Sequence, residues 1–153
     1  MKPVVVQVVN KSPYPLPSYM TTQSAGMDVC ANIPQPIYLE PLERRLIPTG
    51  LYVSIPVGYE IQVRPRSGLA LRSGLTVLNS PGTIDADYRG EVGVLLINMG
   101  PAAVSISPGD RIAQLVLAQH VFASWDQKKD VSEFPDTGRG SGGFGSTGCT
   151  AKG

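Results

Sequence analysis

A chain of 153 residues with 13 Lys and Arg against 12 Asp and Glu, a formal net charge of +1, fits one domain with a single core and carries no general field that would draw it to nucleic acid or a membrane. Any anionic ligand has to be met by a local cluster of charge. Two cysteines, Cys30 and Cys149, and one histidine, His120, are too few for a disulfide framework or a zinc site, which sets Cys and His nucleophile chemistry aside.

The beginning, Met1-Lys2-Pro3-Val4, shows neither a basic leader nor a full apolar run, and no long apolar stretch follows, so a soluble, cytoplasmic protein is expected. Fourteen prolines and 17 glycines cut the chain into short pieces and favour an all-β class. Val4 to Val9 reads as a first strand, and the Pro-rich stretch from Ser12 to Ser18 as an extended connection. Gly26 to Cys30 is a short apolar segment carrying one acid. Ile37 to Leu39, Arg44 to Pro48, Leu51 to Ile55 and Tyr59 to Val63 follow as short strands, separated by Pro41, Thr49-Gly50 and Pro56-Val57-Gly58. This regular spacing of turn signals suggests a sandwich, jelly roll or barrel. One short helix is expected at Leu69 to Arg72, with Ser67 available as its cap. Leu75 to Leu78, Val92 to Asn98 and Ala102 to Ile106 read as strands. Arg111 to Val121, the longest apolar stretch, fits a helical period at Ile112, Leu115, Val116 and Gln119, but its β-rich neighbours argue for a long strand. From Trp125 to Phe134 the chain turns polar, and Pro135-Asp136 breaks it.

Chemistry concentrates in two stretches. Gly82 to Glu91 reads Gly-Thr-Ile-Asp-Ala-Asp-Tyr-Arg-Gly-Glu. If extended, it places Ile84, Ala86 and Tyr88 on one face and Asp85, Asp87 and Arg89 on the other. Carboxylates in such a turn activate a water or approach a metal, and the plain alternative is an acidic hairpin edge. The second stretch, Thr137 to Gly148, has glycine at 138, 140, 142, 143, 145 and 148. Glycine lets backbone N–H groups approach phosphate oxygens, and Arg139, Ser141, Ser146 and Thr147 add donors, so it is a candidate anion cradle. The alternative is a flexible tail, against which Phe144 counts, since an exposed ring in a glycine spacer has nothing to pack on without a ligand or partner. Arg64, Arg66, Arg89 and Arg111 supply the remaining local positive charge. These residues by themselves point to a β-rich protein that binds a phosphorylated ligand with a metal.

Five segments in order, Ala25-Gly26-Met27-Asp28-Val29, Arg66-Ser67-Gly68-Leu69-Ala70, Gly82 to Glu91, Gly109 to Leu115 and Arg139 to Gly148, resemble the five motifs of the trimeric dUTP pyrophosphatases (dUTPases). The first departs slightly, with Val29 where the family usually has Leu. The resemblance implies an all-β, jelly-roll-like distorted barrel or sandwich with one short helix, assembled as a homotrimer with exchange of the C-terminal arm. Residues 1–134 would form the β domain and 135–153 a flexible glycine-rich arm. It implies Mg²⁺-assisted hydrolysis of dUTP to dUMP and pyrophosphate, with no nucleic-acid or membrane partner. Carried over by position, Asp85 would be the general base acting on the attacking water. Tyr88 would pack under the deoxyribose and exclude a 2′-hydroxyl, and Asn79 with the hairpin backbone at Gly82, Thr83 and Ile84 would read the uracil. Arg66, Ser67 and Gly68 from a neighbouring subunit would hold phosphates, joined by Gln114. Asp28 would support the metal through water. The arm would place Phe144 and Gly145 at the uracil and Arg139, Ser146 and Thr147 on the outer phosphates. The rival readings are a dCTP deaminase-like or bifunctional enzyme of the same fold, and a catalytically silent nucleotide-binding regulatory protein.

Overall fold

The computed structural model describes residues 3–143. The described residues divide into two compact units that part between Val121 and Phe122. The first unit is all-β apart from one helix. Its strands are β1 (Gln7–Asn10), β2 (Met27–Cys30), β3 (Ile37–Leu39), β4 (Arg44–Ser54), β5 (Tyr59–Arg64), β6 (Leu75–Val77), β7 (Gly82–Ile84), β8 (Glu91–Asn98), β9 (Val104–Ile106) and β10 (Arg111–Gln119). One four-stranded sheet has the order β1-β4-β8-β6, a second the order β2-β10-β5-β7, and β3 pairs with β9. Every pairing is antiparallel.

Alternation decides which side of each strand meets the core. In β8, Val92, Val94, Leu96 and Asn98 point inward, and in β5 Ile61 and Val63 do so. They meet Ile47, Leu51 and Val53 of β4 and Val29, Ile112 and Leu115 of the second sheet in one apolar cluster. The only polar side chains buried among the described residues are Thr49 and Asn98, and both are satisfied. The Asn98 amide donates to the carbonyls of Leu39 and Ala102, each at 2.8 Å, and accepts from the Gly100 N–H at 2.8 Å. A polar group stays in such a place because its bonds offset its lost hydration.

Strand β4 differs from the sequence expectation. Arg44 to Pro48 and Leu51 to Ile55 were expected as separate strands across a Thr-Gly turn, yet Arg44–Ser54 is one strand. The Thr-Gly pair is instead a bulge. Pro48 pairs with Gly93 and Tyr52 with Glu91, so β4 uses four steps where β8 uses two. Gly50 sits at φ +73°, the left-handed region that glycine enters without strain. Its N–H donates to the Glu91 carboxylate at 2.6 Å, and the Thr49 hydroxyl donates to the Val92 carbonyl at 2.5 Å. The bulge therefore leaves no polar group stranded.

Two other expectations shift and one holds. The first strand lies at Gln7–Asn10 and not at Val4 to Val9. Arg111–Gln119 is a strand, as the neighbouring pattern argued, with partners on both edges. The helix, α1, spans Ser67–Ser73, but Arg66 is its N-terminal cap residue, in extended conformation, and no side chain caps it; Ser67 already lies inside the first turn. Gly74, at φ 69°, closes it in the left-handed C-terminal arrangement.

In the second unit the described residues hold one 3-10 turn, Val131–Glu133, started by a reciprocal capping box. The Asp130 carboxylate accepts from the Ser132 N–H at 2.8 Å, which holds its carboxyl below the usual range, and Glu133 accepts from the N–H groups of Lys129 and Asp130.

Asn98→Leu should strand two carbonyls and one N–H in the core and lower unfolding free energy by about 2–3 kcal/mol. Urea denaturation at fixed protein concentration, compared with wild type, reads this directly.

Candidate active site

The second sheet carries the candidate residues at fixed positions along its strands. Asp28 of β2 stands opposite Gln114 of β10, which stands opposite Arg64 of β5. Just beyond Arg64 the chain leaves the sheet through Pro65 and starts α1, so Arg66 returns toward β2. Its guanidinium grips the Asp28 carboxylate in a fork, Nε to Oδ1 at 3.0 Å and Nη2 to Oδ2 at 3.0 Å. Arg111 adds its Nη1 to the same Oδ2 at 3.4 Å, and the Arg66 Nη1 donates to the Arg111 carbonyl at 3.0 Å. The fork geometry is the strong form of an arginine–carboxylate pair. Both side chains of the Arg66–Asp28 pair are about a quarter exposed, so the pair is neither dry nor fully screened.

Two guanidinium groups converge on one carboxylate, and Asp110 stands near them, so the charges of this corner are matched while several guanidinium N–H donors are held in one place. A cavity of about 300 Å³ opens beside it, lined also by Leu69, Leu75, Ser105 and Asp110. Ser67 is exposed and Gly68 half-buried next to it. Gln114 is held at its amide: Nε2 donates to the Pro65 carbonyl at 2.9 Å, while Oε1 lies so close to Gly26 that any side chain at 26 would strike it. Asp28, Arg66, Ser67, Gly68 and Gln114 thus form one group. Arg111 belongs to it as well, a residue noted in the sequence only as local charge; its register on β10, one step from the bulge at the Cys30 pairing, is the signal that brings it there. Cys30 lies beside this group, and burial pushes its thiol up, against a smaller opposing effect of Arg111, so it is a poor nucleophile.

The other candidates lie on a hairpin. Gly82, Thr83 and Ile84 form β7, paired with Val63, Gln62 and Ile61 of β5. After Ile84 the strand ends, so the expected alternation through Tyr88 does not continue. The chain turns instead: the Tyr88 N–H donates to the Asp85 carbonyl at 3.2 Å, and the Arg89 Nη1 clasps the carbonyls of Ala86 and Tyr88, each at 2.8 Å. Ala86 packs against the core while Asp85, Asp87, Tyr88 and Arg89 are exposed. Asp85 consequently presents its carboxylate to solvent from a backbone that its neighbours hold. Asn79 is exposed in the turn before β7, with its side-chain nitrogen against Gly82.

The two groups do not meet within one chain. From Asp28 to Asp85 the sheet register runs three strands across and several residues along, a separation on the order of 15–20 Å at normal strand spacing. A separate apolar hollow of about 250 Å³, lined by Val6, Leu16, Met27, Val53 and Leu117 among others, carries no carboxylate and no cationic side chain. Arg139, in the second unit, donates from Nε to the Gly142 carbonyl at 2.7 Å. Phe144, Gly145, Ser146 and Thr147 lie outside the described residues.

Among the described residues no three His, Cys, Asp or Glu side chains gather around a point where a metal would sit, and Asp28 directs both carboxylate oxygens at arginines. This donor set fits a divalent cation that arrives with phosphate and water oxygens, not one caged by protein. No helix among the described residues is long and apolar enough to cross a membrane.

Asp28→Asn should keep the side-chain shape but remove the charge that two arginines share. The expected loss of stability is about 1–2 kcal/mol, between the values of exposed and buried pairs, and it should shrink in about 1 M salt. Thermal unfolding at two salt concentrations measures both.

Comparison with known proteins identifies the family. The dUTPase family model matches residues 12–148. The chain is 61% identical over 133 residues to the deoxyuridine 5′-triphosphate nucleotidohydrolase of Desulfotalea psychrophila, covering 87% of each chain. It superposes on the Staphylococcus bacteriophage 80alpha dUTPase with dUPNHPP at a TM-score of 0.83 and 27% identity, over 95% of this chain and 99% of that one. It also superposes on a mutant dUTPase from phage phi11 of S. aureus, which coordinates a structural Mg(II) ion, at a TM-score of 0.73 and 25% identity, over 84% of this chain and 99% of that one. The chain belongs to the dUTPase family.

Proposed function

We propose that the chain is a Mg²⁺-dependent dUTP diphosphatase, hydrolysing dUTP to dUMP and pyrophosphate by attack of water at the α-phosphorus, and thereby limiting uracil in DNA while supplying dUMP for dTTP synthesis. The observation that carries the reading is the division of the family's site residues into two groups on one sheet. A phosphate-binding group gathers around Asp28, Arg66 and Gln114, and a solvent-facing carboxylate, Asp85, stands beside an aromatic ring, Tyr88, on a hairpin. A homotrimer in the cytoplasm completes the site by setting the hairpin of one copy against the phosphate group of another. Two clusters 15–20 Å apart in a chain (on the order given by strand spacing) then become neighbours across an interface.

In this arrangement each residue has a physical task. Asp85 accepts a proton from the water as it attacks and fixes its line of approach. Arg66, the Ser67 hydroxyl and the Gly68 N–H hold the phosphate chain, with Asp28 keeping the Arg66 fork aimed, and Asp28 would support the metal through water. Gln114 orients the water and a phosphate oxygen. Tyr88 forms the floor under the deoxyribose, and Asn79 with the Gly82–Ile84 backbone reads the uracil edge. Magnesium carried in with the nucleotide would supply positive charge that offsets the charge of the phosphates. The arm from residue 135 closes over the nucleotide, with Phe144 and Gly145 at the base and Arg139, Ser146 and Thr147 at the outer phosphates.

Pyrophosphate release from dUTP, but not from dTTP, dCTP or UTP, and its loss on chelation of Mg²⁺, tests the reading. Ammonia released from dCTP would favour the deaminase, and nucleotide binding without turnover the silent regulator. Asp85→Asn should lower kcat by about 10²–10⁴-fold while leaving nucleotide affinity close to wild type. Equal loss of binding and turnover would assign Asp85 a structural role. Ending the chain after Pro135 should leave a folded trimer with little activity, read by analytical ultracentrifugation beside the pyrophosphate assay.

A further inference from the structure

Gly90 and Glu91 stand next to the proposed sugar floor without any role assigned to them above. Gly90 does not adopt a left-handed backbone, so conformation does not require glycine there. Space does. A methyl group at residue 90 would fall 2.5 Å from Tyr88 Cζ and 3.0 Å from Cε2, and closer still to the hydroxyl. The hydroxyl end of the Tyr88 ring occupies the position that a side chain at 90 would fill. Its hydroxyl continues past Gly90 and donates to the Glu91 carbonyl at 3.0 Å.

Glu91 is itself fixed. Its carboxylate accepts the Gly50 N–H at the β4 bulge, and it pairs with Tyr52 as the first residue of β8. At the other end of the ring, the Tyr88 backbone is tied to Asp85 and clasped by Arg89. The residue is therefore held at both ends, by its hydroxyl and by its backbone, while 45% of it remains exposed.

We propose that Gly90 and the Glu91 carbonyl are specificity-positioning residues: the missing side chain at 90 lets the Tyr88 ring reach across residue 90, and the carbonyl at 91 pins it where it distinguishes deoxyribose from ribose. This rests on the reading of Tyr88 as the sugar floor. A ring pinned at a fixed height meets a 2′-hydroxyl as a hard wall. Freed from its acceptor, the same ring swings and yields to the extra oxygen. A methyl group at 90 acts on the tip of a half-exposed side chain, not on backbone or core, so the ring moves and the fold does not.

The test compares kcat/KM for dUTP and UTP in wild type, Gly90→Ala and Tyr88→Phe, with thermal unfolding of each. In Gly90→Ala the dUTP-to-UTP ratio should fall by about tenfold, the size of a lost steric or polar discrimination, with the unfolding midpoint near wild type. Tyr88→Phe keeps the ring and the space but removes the pinning bond, and it should lower the ratio in the same direction by a smaller factor. A ratio unchanged in both variants overturns the proposal, as does a fall in Gly90→Ala that only tracks lost folded protein while Tyr88→Phe keeps the wild-type ratio. If wild type itself fails to hydrolyse dUTP, or hydrolyses dUTP and UTP equally, the underlying reading of the site fails instead.

Discussion

Strand β10 is the constraint from which the rest of the candidate site follows. It is paired along both edges, with β2 and β5, and its consecutive residues Ile112 and Ala113, then Leu115 and Val116, are buried. A strand so enclosed has one register, because a slip of one residue would drive Gln114 into the core and expel Leu115. With β10 fixed, Asp28 and Arg64 are fixed on either side of Gln114, and β7 follows one strand beyond β5. Chemistry at the ends of this sheet inherits its precision from apolar packing at the middle.

The polar corner adds a second layer of order. A lone Arg66 would sample many rotamers, and each one lost on meeting a phosphate would cost binding energy. The Asp28 fork removes that freedom in advance. Because Asp28 serves two arginines, both guanidinium groups are held beside the same cavity. The chain as a whole is nearly neutral, so attraction for an anion is short-ranged and confined to where the geometry is already set.

Much of this was legible in the chain, and the failures have identifiable causes. Short strands between prolines and glycines follow from local chemistry, and the helix at 67–73 follows from a run of good helix formers ended by Gly74. The Arg111–Gln119 strand was readable only by context, since its apolar residues fit either period. Thr49-Gly50 was misread because a bulge and a turn use the same residues; what separates them is Glu91 on another strand, 41 positions away. The alternation expected through Tyr88 failed because Arg89 offers the carbonyls of Ala86 and Tyr88 a donor that a strand partner would otherwise supply. Arg111 was underrated because sequence shows that it follows Asp110, not that it crosses from Asp28.

The β4 bulge carries a consequence for how this chain tolerates change in length. Its two additional residues leave the inward alternation of Ile47, Thr49, Leu51 and Val53 intact, because an even number restores the phase. Removal of one residue would turn Leu51 and Val53 to the outside and bring Tyr52 and Ser54 into the core. It would also leave the Glu91 carboxylate without the N–H that holds it. At this point in the chain a change of length by one residue inverts the strand beyond it, a change by two does not, and trimming the bulge removes the partner of Glu91.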